Sequence, residues 1–220
     1  MKKQDVSCPK VIIYDWDGTL ADSMSATYAA LRSTFQAFDK AVPSFAEFVE
    51  CLRNPPTVFY YERGFSRKIS KKEIWSTFLG HANYSSIKLY PDVKKEIEKQ
   101  KRSGWSLVLV SACPRDILLG LLAKHDLMTT FEHVLVTGSD QRKSTVFNRA
   151  CRLLRIKRGD RHEIICVGDM ACDMFEAVVA GLTPIGLCRD HPEISHILKS
   201  HGARLVFGSL KEFNSHLGIQ

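Results

Sequence analysis

The sequence predicts an α/β protein: a doubly wound parallel sheet with a helical segment inserted after its first strand. Three observations carry this expectation. Six short runs are apolar throughout rather than alternating, as strands are when helices cover both faces. Stretches of helical length lie between the later runs, and repeated β–α alternation argues for a sheet wound on both sides. One connection breaks the rhythm. About ninety residues separate the first strand from the second, far beyond the dozen or so that a crossover needs.

The first strand is Val11–Tyr14, and it runs straight into Asp15-Trp16-Asp17-Gly18-Thr19-Leu20. The long connection then reads as helices over Ser25–Phe38, over Ser44–Arg53 up to Pro55-Pro56, and over Lys71–Asn83. Ser44 with Glu47, and Ser70 with Glu73, have capping-box spacing. The chain is expected back at the sheet at Tyr90-Pro91-Asp92. That divides it into a core of residues 1–21 and 89–220 and a helical insert of 22–88. Beyond lie strands at Leu107–Val110, Val134–Val136, Ile164–Val167, Ile185–Leu187 and Leu205–Phe207. Helices over Asp116–His125, Ser144–Leu154, Cys172–Ala180 and Glu193–Ser200 alternate with them.

Composition narrows the function. At 220 residues, 45% apolar and 25% charged, the chain can bury one large core with a modest insertion. Seven scattered cysteines without a C-x-x-C pair suit neither a disulfide scaffold nor a zinc site, and the eight histidines have no ligand spacing. The thiols are expected to be small buried hydrophobes in a reducing cytoplasm. The net charge of +7 is spread widely, with short knots at Lys94–Arg102 and Arg152–Arg161. Acids interleave with the first knot, as Glu98 does with Arg102, so solvated helix faces are expected rather than a nucleic-acid groove. No apolar run approaches the ~18–20 residues that cross a bilayer, and Val11–Tyr14 is too short for the core of a signal peptide. The expectation is a cytoplasmic monomer or homodimer without nucleic-acid or membrane partners.

Chemistry concentrates at strand ends, where open α/β sheets bind ligands. Asp15 and Asp17, two positions apart and followed by Gly18, can share a metal and a reacting group; alone, they also fit a surface Asp-Gly turn. Ser111 closes the second strand, with Ala112 permitting close backbone approach, and suits a phosphoryl oxygen. Lys143, near a helix start, offers a point charge for anionic oxygens, with Arg142 as its competitor. Gly168-Asp169-Met170-Ala171-Cys172-Asp173 follows another apolar strand. There Asp169 and Asp173 stand about one helical turn apart, so both carboxylates can face one cation. Hard oxygen donors favour Mg²⁺ over zinc.

Each signal is weak alone, but together, in this order, the D-x-D-G-T element, Ser111, Lys143 and the G-D-x-x-x-D element resemble the haloacid dehalogenase-like hydrolase superfamily. The likeness spans nearly the whole chain, including the helical insert as a cap. It is nearest to small phosphoglycolate phosphatase-like members, which often open with a similar D-W-D-G-T-L-x-D-S. Ala112 and Ser144 depart from the Asn and Pro of many such relatives, and Ser111-Ala112 is similar to the β-phosphoglucomutases.

The resemblance implies a Mg²⁺-dependent phosphatase acting on a small phosphate ester, phosphoglycolate-like or a sugar phosphate. Asp15 would form an aspartyl-phosphate, and Asp17 would act as acid and then base. Mg²⁺ would be held by Asp15, the Asp17 carbonyl and Asp169, with Asp173 orienting the metal or its water. Ser111, Ala112, Lys143, Trp16 and Gly18 would hold the phosphoryl group. The dehalogenase relatives lack the second acid, so Asp17 favours phosphate esters. A phosphomutase shares this core and is the alternative; a non-catalytic binding protein on the same fold comes third. A nucleotide-dependent kinase is disfavoured by the lack of G-x-x-x-x-G-K-[ST]. Candidates in the cap for substrate contact are Arg53, Tyr60, Tyr61, Arg63 and Arg67, each of which serves equally well as packing or as a solvated charge.

Overall fold

A computed structural model describes residues 10–51, 56–138 and 141–220. Its centre is a six-stranded, all-parallel sheet. β1 (Val11–Tyr14) lies between β4 (Ser106–Ser111) and β6 (Ile165–Gly168). Outside β4 runs β5 (His133–Val136); outside β6 run β7 (Thr183–Leu187) and β8 (Leu205–Phe207). The chain therefore winds one way from β1 through β4 and β5, then the other way from β6 to β8. The point of reversal, beside β1, is where such sheets open a crevice.

The unbroken apolar character of the strands has a direct cause. Ile12 and Tyr14 face one helical layer, where they cluster with Leu107, Leu109, Ile97, Leu118 and Phe213. Val11 and Ile13 face the other, with Val108, Val110, Val146, Phe147 and Ala177. α5 (Val93–Arg102), α6 (Arg115–Lys124) and α10 (Leu210–His216) supply the first layer; α7 (Lys143–Leu153) and α8 (Ala171–Ala180) supply the second. A buried polar chain fastens the first layer to β1. Gln100 Nε2 donates to both Tyr14 Oη and Asn214 Oδ1, each at 2.7 Å, and Asn214 Nδ2 donates to the Glu96 carbonyl at 2.9 Å.

The long connection is helical, as expected: α1 (Met24–Ala37), α2 (Phe45–Cys51), α3 (Pro56–Glu62) and α4 (Lys71–His81). Phe35, Phe59, Tyr60, Phe65, Ile74 and Phe78 form their shared interior. The segment leaves and rejoins the core through a two-residue antiparallel pair, β2 (Ala21–Asp22) with β3 (Lys88–Leu89). The Ser44–Glu47 box is reciprocal, with Glu47 accepting from Ser44 N–H at 2.7 Å and Glu47 N–H donating back to Ser44 Oγ at 3.3 Å. At Ser70 only the hydroxyl half is made, accepting from Glu73 N–H at 3.1 Å.

Some elements differ from the sequence reading. The Glu193–Ser200 stretch divides into a 3₁₀ turn, Pro192–Ile194, and a short helix α9 (Ser195–Ser200). Proline at the start of the turn fixes one dihedral, and the tighter turn that follows stays short. Cys113, Cys151, Cys166 and Cys188 are buried and Cys172 is partly so, and none of these five forms a disulfide. Among the described residues, no helix is long and apolar enough to cross a membrane.

Candidate active site

Asp15 is the first residue past β1, and its N–H donates to the Val167 carbonyl at 2.9 Å, extending the ladder with β6 one step. The chain then reverses tightly. Leu20 and Ala21 N–H both donate to the Trp16 carbonyl at 2.9 Å. Gly18 N–H donates to the Ala21 carbonyl at 2.9 Å and to Ser23 Oγ at 3.1 Å. At φ +72° Gly18 has the left-handed backbone that glycine adopts freely, and a Cβ there would stand 2.1 Å from Asp169 Oδ2. Because its N–H is already used, Gly18 contributes room for Asp169. This Asp-Gly turn lies against a second acidic strand end rather than at the surface.

That strand end is β6, followed by Asp169 and α8. Thr19 Oγ1 donates to Asp169 Oδ1 at 2.7 Å, joining the first turn to the second. Asp173, in the first turn of α8, accepts from Met170 N–H at 3.1 Å through Oδ2. Its other oxygen takes Lys143 Nζ at 2.5 Å, and the same ammonium donates to Asp15 Oδ1 at 2.6 Å. Lys143 opens α7, so its side chain reaches from a helix start to the carboxylates that follow β1 and β6. Arg142 does not compete: its Nε donates to Glu176 Oε1 at 3.0 Å, while Glu176 Oε2 accepts Ser144 N–H.

The carboxylates of Asp15, Asp169 and Asp173 are all buried and come within 4.8 Å of one another. Burial pushes Asp15 up to about 7, against the pull of Lys143. Asp169 is raised well above the ordinary carboxylate range, first by burial and then by repulsion from Asp15 and Asp173. Burial alone would lower the Lys143 ammonium, but Asp15 and Asp173 override it and hold it well above its usual value. Asp17 is half-buried, and loss of water raises its carboxyl too. Three buried carboxylates against one lysine leave negative charge uncompensated, and an oxygen-only donor set suits a hard divalent cation.

Ser111 ends β4 fully buried, with Oγ accepting from Cys113 N–H at 2.9 Å, so its own proton remains to be donated. Ala112 is exposed beside it. The Trp16 indole is fully buried in the core, leaving only its backbone to serve the site. Of the cap candidates, Tyr60 lines a cavity of about 150 Å³ that also touches Asp17 and Ala112. Tyr61 Oη donates to the Ile69 carbonyl at 3.1 Å. Arg63 pairs with Glu47 at 2.6 Å, and Arg67 lies over the Tyr61 ring. Arg53 lies outside the described residues.

Sequence reasoning passed over Thr19 and Arg189. Arg189, two residues past β7, is buried and donates to the Thr19 carbonyl from both Nε and Nη2, the former at 2.9 Å. It also pairs with Asp92 at 3.0 Å and lies 4.3 Å above the Tyr90 ring. It therefore supports the first turn from behind. The strand-end rule that selected Asp15 and Asp169 applies equally to the end of β7.

Comparison with known proteins agrees with this geometry. The model of the family described as "Haloacid dehalogenase-like hydrolase" matches residues 12–187. The chain is 25% identical over 199 residues to a phosphoglycolate phosphatase of Vibrio parahaemolyticus, covering 85% of this chain and 86% of the relative. It is 26% identical over 187 residues to one from Aliivibrio fischeri, with 78% and 81% covered. Among solved structures, a haloacid dehalogenase-like family hydrolase from Streptococcus pneumoniae superposes with a TM-score of 0.80 at 15% identity, over 96% of this chain and 99% of that one. A hydrolase from Pseudomonas syringae gives 0.78 at 16%, over 95% and 98%. At such identities the structural likeness speaks for the fold.

Proposed function

The chain belongs to the haloacid dehalogenase-like hydrolase family, and we propose that it is a phosphatase that hydrolyses a small-molecule phosphomonoester through an aspartyl-phosphate on Asp15. The observation that supports this most is the meeting of Asp15, Asp169, Asp173 and Lys143 in one buried cluster at the switch point of the sheet. In this reading residues 22–88 are the cap and the remainder is the catalytic core.

Asp15, Asp169 and the Asp17 carbonyl would hold Mg²⁺, with Asp173 beside them, and the ion's charge there would offset repulsion between Asp15 and the phosphate. Asp15 attacks phosphorus as a bond forms to its carboxylate oxygen and the bond to the ester oxygen breaks. Lys143, already on Asp15 Oδ1, orients the nucleophile and faces the anionic oxygens. Ser111 donates its free hydroxyl proton to the transferring group. Asp17 gives a proton to the departing alcohol, and burial, which raises its carboxyl, makes it hold that proton more readily than an exposed aspartate would. Ionised, it then takes a proton from water, whose oxygen attacks phosphorus and frees Asp15 and inorganic phosphate.

Release of inorganic phosphate from a panel of monoesters, with Mg²⁺ and with chelator, tests the reading. The relatives' names make phosphoglycolate the first ester to assay. Metal-dependent release is expected. Undiminished release in chelator would remove the metal from the mechanism, and no release from any ester would remove the phosphatase.

A further inference from the structure

The cavity beside Asp17 bears on which alcohol leaves. It reaches the phosphoryl site through Asp17, Ala112 and Met170, neighbours of the nucleophile, of Ser111 and of Asp169. A leaving group protonated by Asp17 therefore occupies this space. The other wall comes from the cap, where Leu31, Phe48, Phe59, Trp75 and Phe78 line it, the last two as stacked rings 5.2 Å apart. Tyr84 adds a further ring, and Thr27 and Asn83 supply neutral polar groups. No lysine, arginine or histidine among the described residues lines it. Among the described cap residues, Arg63 pairs with Glu47 and Arg32 lies over the Tyr28 ring. Its volume, about 150 Å³, matches apolar cavities that take up a benzene molecule.

We infer that the preferred substrate is a phosphomonoester of an uncharged, apolar alcohol about one aromatic ring in size, and that a carboxylate-bearing ester such as phosphoglycolate is a poor substrate. This rests on the phosphatase reading above. An apolar ring replaces water against the Phe and Trp faces. The carboxylate of phosphoglycolate would instead lose water with no cation to pair with, beside the acidic Asp17. A buried unpaired charge is the costly kind of mismatch, so discrimination of about 100-fold or more is expected.

The test compares kcat/KM for benzyl phosphate, 2-phenylethyl phosphate, glycerol phosphate and phosphoglycolate, all alkyl esters, so that leaving-group reactivity does not set the order. The two phenyl-bearing esters are expected to exceed phosphoglycolate by about 100-fold or more. Phosphoglycolate or glycerol phosphate turned over as well as the phenyl esters would overturn this inference and leave the phosphatase intact. Hydrolysis of none of them would overturn both. A second arm uses Asn83→Arg, at an exposed position on the cavity wall, with folding checked by circular dichroism. The added cation should raise kcat/KM for phosphoglycolate and lower it for benzyl phosphate. An unchanged ratio in the folded variant would show that the leaving group does not lie in this cavity.

Discussion

In the proposed mechanism two aspartates two positions apart do different work, because their surroundings differ. Asp15 is locked to Lys143 and packed among carboxylates, whereas Asp17 faces the cavity. Asp15→Asn keeps the shape and loses the nucleophile, so turnover should fall by several orders of magnitude in a protein that melts normally. Asp17→Asn should still bind phosphate but lose proton transfer, typically worth ~10²–10⁴-fold. Rapid quench should show a large first-step loss for an alkyl phosphate and a smaller one for p-nitrophenyl phosphate, whose alcohol departs unaided. Equal losses would take the acid role from Asp17. Gly18→Ala forces a side chain toward Asp169 and into a strained backbone, and should abolish metal-dependent turnover; wild-type rates would contradict the crowding at Asp169. Spacing and strand ends made Asp15, Asp17, Ser111, Lys143, Asp169 and Asp173 legible as a candidate set. Lys143 and Arg142 could not be separated from sequence, because Glu176, which takes up the arginine, lies a helix away.

At the scale of elements, the strands were legible because both their faces are buried, which leaves an unbroken apolar run. α5 was not. Its buried side, Val93, Glu96, Ile97 and Gln100, has helical spacing, but half of it is polar and satisfied by Asn214, Lys99 and Tyr14. β2 and β3 are two residues each, too short for any pattern. Arg189 holds the first turn by contacts with Thr19, Asp92 and Tyr90, all about a hundred residues or more away in sequence, and its strand-end position gives no sign of which distant groups it meets. Arg189→Ala strips a buried pair of one partner, and should cost about 3 kcal/mol in urea unfolding. A loss below about 0.5 kcal/mol, the size of a surface substitution, would mean that the turn is held by other contacts.

For the molecule as a whole, metal held in the buried acidic cluster, as proposed, would couple stability to metal. A ligand that binds only the folded state stabilises it by about 2.7 kcal/mol at a hundred times its Kd. Mg²⁺ should therefore raise the melting temperature of the wild type, and raise that of Asp169→Asn much less. Equal shifts in both would place the ion elsewhere. The proposed division of labour between core and cap follows the same logic: the sheet would carry the groups that handle phosphate, and the helices between β2 and β3 would shape the space for what leaves. The covalent step on Asp15 can be trapped. Asp17→Asn, mixed with Mg²⁺ and a phosphomonoester, is quenched in acid, and the peptide carrying Asp15 is weighed by mass spectrometry. One added phosphoryl group on that peptide is predicted, and none on the matching peptide of Asp15→Asn. A phosphoryl group on another residue, or steady turnover with Asp15 never modified, would contradict the account.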